Sequence, residues 1–355
     1  MERRSEHAPN GDEKVPTPPS RRGFLVGAAG LTGVAATAGA WRSPVLADDR
    51  ASAQAQSSPT ADQRSYVTGH FALDLDGAFA GPVLAAAGGS AFGDVVVAEP
   101  AGSPFRTKHI GGVKYEDISV QVGHGMSKGF YDWIKTTADG KPTRRSGALI
   151  AADFNYREIS RLTFHEAILT ELGMPALDAA SKDAAKMTLK FAPESTRRSS
   201  GSGAKVPASS RKDQKKWLPA NFRLKIDGLE AACTKVNKIE AIIIKQAMVE
   251  APVGDGREHA DSAGGLTLSD LVVSLAESFA EPFYAWHEDF VIKGNSTDDR
   301  EKGGTLEFLS SDNKTVLFSL AFSNLGIFRL TQEPQDSAQS IRRVKAEMYV
   351  ERIAF

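Results

Sequence analysis

Cysteine is almost absent. Cys233 is the single one in 355 residues, which excludes an intramolecular disulfide framework and any zinc or iron–sulfur site built from several thiolates. Charge of one sign is absent too: Lys+Arg number 43 against 44 Asp+Glu, so no global charge drives the chain onto nucleic acid or a membrane surface. Aromatic residues are sparse, at 8%, and too scattered for the aromatic-lined interior of a ligand-binding barrel. Long hydrophobic runs are missing except for one uncharged stretch, Gly23 to Ala40. What remains is 41% hydrophobic, enough to bury real cores, and the length suits two folded units with some unstructured chain.

The uncharged stretch is read as an address. Ser20-Arg21-Arg22-Gly23-Phe24-Leu25 has the twin-arginine pattern, preceded by a polar, Pro-rich leader and followed by Arg42 and the small-residue cleavage motif Val45-Leu46-Ala47. Its glycines, alanines and threonines make it too weakly hydrophobic for a comfortable transmembrane helix. Residues 1–47 are therefore expected to be a signal peptide cut between Ala47 and Asp48, with no membrane span in the mature chain. The expected partner is the twin-arginine export machinery and the destination the periplasm, cell surface or medium; cytoplasmic assembly is the alternative if the signal is unused. Residues 48–65 are Ala-, Gln-, Ser- and Asp-rich without an apolar period and read as a tether.

The informative feature is an internal duplication. Phe71-Ala-Leu73-Asp-Leu75-Asp76-Gly77 recurs as Phe222-Arg-Leu224-Lys-Ile226-Asp227-Gly228, each an alternating strand that stops at Asp-Gly. Val95-Val96-Val97 is matched to Ile242-Ile243-Ile244, and Ile118-Ser-Val120-Gln-Val122 to Leu271-Val272-Val273-Ser-Leu275. The best anchor is Phe130-Tyr131-Asp-Trp133 against Phe283-Tyr284-Ala-Trp286. Ala148-Leu-Ile150 then answers to Thr305-Leu306-Glu-Phe308, Leu162-Thr-Phe164 to Leu320-Ala-Phe322, and Asp178 to Asp336. Met187-Thr-Leu189 answers to Met348-Tyr-Val350. Two copies follow, 66–196 and 217–355. They are separated at 197–216 by a basic Ser/Gly segment read as a linker, because its apolar residues are too few to pack.

Within each copy the period is mostly two, with one exception. Phe279, Phe283, Trp286 and Phe290 fall on one helix face, with Pro282 in the first turn. Met126, Phe130, Trp133 and Ile134 form the same face in the first copy, with Ser127 as candidate N-cap. The fold class expected is mainly β: two tandem antiparallel barrels or sandwiches, each with one amphipathic helix across an open end.

The search for chemistry finds none. Asp74-Leu-Asp76-Gly77 lacks the further acids of a calcium loop, and the second copy puts Lys225 where a cation would sit. The histidines show no H-x-x-x-H or H-x-H spacing, and no G-x-S-x-G elbow, Walker loop or G-x-G-x-x-G fingerprint occurs. The glycine pairs at 88–89 and 111–112 lack the helix that phosphate binding needs. Cys233 reads as an inert core thiol. No catalytic, metal or cofactor residue is named, and the chain is expected not to be an enzyme.

These anchors in this order, with the basic Arg144-Arg145 loop, Phe164-His-Glu-Ala167 and Met174-Pro175-Ala-Leu177-Asp178, resemble the tail-tube protein family of contractile phages and phage-derived contractile injection systems. The resemblance covers about 66–196 well and 217–355 more loosely. It implies a small β-barrel or sandwich with one helix, packed into six-membered rings that stack into a tube, and partners of sheath or baseplate type. A tandem chain would supply two ring positions, so three chains would complete a ring. The alternative is an exported, non-enzymatic β-barrel binding module. No specific nucleic acid is implied.

Overall fold

A computed structural model describes residues 69–99, 105–207, 217–252, 259–334 and 341–355. The first half carries β1 (His70–Leu75), β2 (Ala78–Gly88), β3 (Ala91–Ala98), β4 (Thr107–Tyr115), β5 (Ile118–Val122), α1 (Lys128–Ala138), β6 (Arg145–Ala152), β7 (Glu158–Met174), β8 (Leu177–Asp178), β9 (Met187–Ala192) and β10 (Ser195–Ser200). The second half carries β11 (Phe222–Ile226), α2 (Glu230–Cys233), β12 (Val236–Ile239), β13 (Ile242–Pro252), β14 (His259–Leu268), β15 (Leu271–Ala276), α3 (Glu281–His287), β16 (Lys302–Leu309), β17 (Val316–Gln332) and β18 (Arg343–Ala354).

In the first half β1–β2, β2–β5, β5–β9, β9–β7, β7–β6 and β6–β1 are all antiparallel pairs, so six strands close on themselves. Closure removes the sheet edges that would otherwise template aggregation. The alternation of β1, β5 and β9 puts Leu73, Leu75, Ile118, Val120, Val122, Met187, Leu189 and Phe191 inside. Helix α1 is capped as its sequence requires, with the Phe130 amide donating to Ser127 Oγ at 3.3 Å. It inserts Phe130 and Trp133 into the core, where Trp133 lies 5.5 Å from Phe191, itself 5.0 Å from Phe164.

The second half pairs its strands in the order β11-β16-β17-β18-β15-β12. The first runs β1-β6-β7-β9-β5-β2 along the same path. The second sheet stays open between β11 and β12, where the four-residue α2 and the short β12 follow β11. The irregularities correspond as well. β7 and β17 each shift register once against their partner strand, at Leu169/Glu171 and Ile327/Arg329. Upstream of those shifts Glu166 and Asn324 both hold positive φ, at 49° and 58°.

Register corrects two sequence matches. Ile244 faces Leu268 as Ala91 faces Tyr115, so Ile242–Ile244 corresponds to Gly89–Ala91 and not to Val95–Val97. Phe191 and Met348 occupy matching places, opposite Ile118 and Leu271, so Met187 answers to Val344 rather than Met348. β10, a further strand on β7, also runs past the expected boundary at 196. Ser195–Ser200 pairs with Ser160–His165 of β7, and beyond it Val206 is buried, with its amide donating to the Tyr156 carbonyl. Residues 197–207 are therefore part of the fold and not linker; 208–216 lie outside the described residues, as does Asp336. Phe279 is the fourth change. It sits in a 3-10 turn ahead of α3, exposed, with Lys235 Nζ 5.1 Å from its ring centre, and Phe283, Trp286 and Phe290 alone form the buried face.

Cys233 lies in α2, buried, with its thiol pushed up to about 11 chiefly by burial. A thiol reagent at pH 8 is expected to leave the native protein essentially unlabelled, while the denatured chain takes up one equivalent. Rapid native labelling would contradict this burial.

Candidate assembly surface

Functional candidates in this chain are surfaces. The signal residues Arg21, Arg22, Ala47 and Asp48 lie outside the described residues. Asp76 and Gly77 form the β1–β2 turn, both at positive φ, and Arg145 binds the Asp76 carboxylate at 2.5 Å. Asp227 and Gly228 end β11 ahead of α2, with Gly228 but not Asp227 at positive φ; the Asp227 amide donates to the Gly303 carbonyl as the Asp76 amide does to the Ser146 carbonyl. Phe130, Trp133, Phe283 and Trp286 are buried anchors. Tyr131 and Tyr284 are only partly buried.

Tyr131 is where the two halves meet. Its hydroxyl donates to the His124 carbonyl, and burial pushes its pKa up to about 12. Its ring stacks 6.1 Å from Phe355, which in turn stacks 5.7 Å from Phe318. Lys135 Nζ donates to the Phe355 carbonyl at 3.0 Å.

The main junction is a shared sheet. β6 leaves β7 at the Arg145–Ala167 pair, and β13 takes over that edge, with Ile242, Ile243, Ile244 and Lys245 opposite Met174, Gly173, Leu172 and Glu171. β12 also pairs with β8, through Lys238–Asp178 and Ile239–Leu177. Glu171 lies 3.5 Å from Lys190 and 3.9 Å from Lys245. Backbone pairing supplies affinity and fixes register, and the buried Ile242 and Ile244 supply apolar area. The sequence held no sign of this contact, because a strand does not name its neighbour on a second barrel.

The β3–β4 ribbon of the first half makes no such contact. Among the described residues it pairs only with itself, and it leaves Phe92, Val95, Val96, Val97, Ile110 and Val113 exposed on its two faces. An apolar two-stranded ribbon of this kind is an interaction element or a liability.

Residues 67–197 match the family model of the T4-like virus tail tube protein gp19. That match spans the first barrel, from β1 into β10. A search of curated proteins finds no sequence match. Among solved structures, the tube-terminating cap of the anti-feeding prophage aligns at 16% identity over 42% of this chain and 99% of its own, with a TM-score of 0.37. The sheath–tube complex of the extracellular contractile injection system PVC aligns at 15% over 39% and 94%, with a TM-score of 0.34. Hcp1 from Flavobacterium johnsoniae aligns at 16% over 37% and 96%, with a TM-score of 0.26. No helix among the described residues is long and apolar enough to cross a membrane.

Proposed function

We propose that this chain is a structural, non-enzymatic subunit of a tube-like assembly, built as a tandem pair of tail-tube domains whose second copy is 217–355. The observation that carries the reading is the match of residues 67–197 to the tail-tube family. The second half supports it with the same strand order and matching register shifts in β7 and β17. Each half fills one ring position, so three chains complete a pseudo-six-fold ring, with sheath- or baseplate-type proteins as further partners. Residues 1–47 act as a twin-arginine signal around Arg21 and Arg22, with cleavage after Ala47, and 48–65 tether the first domain. The protein works after export.

Negative-stain microscopy of the purified protein, with light-scattering mass on the same sample, tests this. Rings or stacked tubes with a mass near three chains per ring are expected. A compact monomer at all concentrations, or six chains per ring, would overturn it.

A further inference from the structure

Each half carries both sides of the β13–β7 junction, and the chain uses one of each. Two sides are left over. One is residues 90–92 at the base of the β3–β4 ribbon, which correspond to Ile243–Lys245; Gly89, the match of Ile242, is buried and its carbonyl accepts from Thr196 Oγ1 at 2.7 Å. The other is Arg329–Gln332 of β17, which correspond to Glu171–Met174, since Leu330 faces Ala346 as Leu172 faces Leu189. Among the described residues β16 leaves β17 at Leu325, and no strand covers the edge beyond it.

We propose that residues 90–92 of one chain add antiparallel to Arg329–Thr331 of a second copy of this chain, with Ser90 opposite Thr331 and Phe92 opposite Arg329. The proposal rests on the ring reading and names the contact that closes the ring.

Three observations carry it. The ribbon base is preset for pairing: the Ser90 carbonyl accepts from the Glu116 amide at 2.9 Å, and its amide donates to the Glu116 side chain at 3.3 Å. Ile243, in the used junction, makes the same two bonds with Ser269. Exposed apolar side chains also sit where the internal junction has its contacts. Phe92 is 46% exposed, Phe328 38% and Val291 41%, and their counterparts inside the chain are Lys245, Thr170 and Ala138. Lastly, charge is reversed between the two acceptor edges. The Glu171–Lys190 pair becomes Arg329–Glu347, at 3.5 Å in both. Arg329 meets the Phe92 ring, a cation–π pairing, whereas a misplaced β13 would set Lys245 against Arg329. The swap makes chains join head to tail and rejects the second ribbon at the wrong edge.

The test is a Ser90→Cys, Thr331→Cys double variant of the full chain. Ser90 and Thr331 face one another as a non-hydrogen-bonded antiparallel pair, Cα atoms about 4.5 Å apart, within disulfide reach. Cys233 is buried and does not compete. Oxidation is expected to give a ladder ending at roughly three chains that reductant collapses to one. Each single variant stays at one chain, and the two singles mixed give dimers only. Rings by microscopy without the ladder would overturn this junction and leave the ring reading intact; absence of rings from the unsubstituted protein would overturn both. Phe92→Lys, on an exposed side chain, is expected to weaken ring assembly about tenfold or more.

Discussion

Gly147→Ala unfolds the first barrel at markedly lower denaturant than the unsubstituted protein, and Gly147→Val is not recovered folded. A Cβ at Gly147 would lie 2.2 Å from the Asp74 carbonyl oxygen and 2.7 Å from Phe164 Cζ. The first contact is backbone, on the strand that closes the barrel against β6, so relief means separating β1 from β6 rather than turning a side chain. Overpacking a core typically costs about 1–3 kcal/mol and more where the backbone must yield. Against a total stability of about 5–15 kcal/mol, that is a large fraction. Gly304 occupies the matching place in β16, and a Cβ there would come 2.7 Å from the Lys225 carbonyl, so Gly304→Ala is expected to be damaging but less so. Gly173→Ala is the control, since its nearest neighbours lie 3.7 Å away. Equilibrium denaturation midpoints should fall in the order Gly173→Ala, Gly304→Ala, Gly147→Ala. A Gly147→Ala midpoint equal to the control's would show that β1 and β6 are not so close.

That pair of glycines stands in the sequence at Gly147-Ala-Leu149 and Gly304-Thr-Leu306, one residue ahead of the matched strands Ala148–Ile150 and Thr305–Phe308, and the close approach behind it shows only in the fold. Where both copies keep their side chains facing one shared interior, the pattern was readable: the alternation of β1 and β11, the Phe-Tyr-x-Trp helix, and the Ser127 cap. It failed where burial comes from a distant strand. Val95–Val97 and Ile242–Ile244 are both β-branched triplets, so they look equivalent. Yet Ile242 and Ile244 are buried because β7 lies against them, while the valines stay exposed on a ribbon that no further strand pairs with among the described residues. The basic run at Arg197-Arg198 hid a strand for a similar reason. β7 is 17 residues long, and the edge opposite β6 at Ser160–His165 is satisfied by backbone pairing, which needs no apolar side chain from β10. The assembly surface was least legible, because its equivalents are related by pairing register and not by residue type: Glu171 becomes Arg329, and Lys245 becomes Phe92.

The two helix tryptophans, alike in sequence, are expected to respond unequally when shortened by one ring. Trp133 is fully buried, and its Nε1 donates to the Thr143 carbonyl at 2.8 Å. Trp286 has its Nε1 buried with no partner among the described residues, while Lys302 Nζ sits 5.4 Å from its ring centre. Trp133→Phe strands the Thr143 carbonyl and opens a cavity, so destabilisation of about 2–4 kcal/mol follows from lost packing plus an orphaned acceptor. Trp286→Phe also loses ring area, but it removes an unsatisfied donor whose burial costs about 1–3 kcal/mol, so the two effects nearly cancel. Truncation to alanine opens a larger cavity at both sites: Trp133→Ala should cost about 3–5 kcal/mol or more, with Trp286→Ala the smaller of the two because it also removes the unsatisfied donor. Denaturation midpoints of the four variants separate these terms. Equal losses for the two phenylalanine variants would mean that the Trp286 indole N–H finds a partner in solution, and a water bridging it to a nearby carbonyl would be the group to look for.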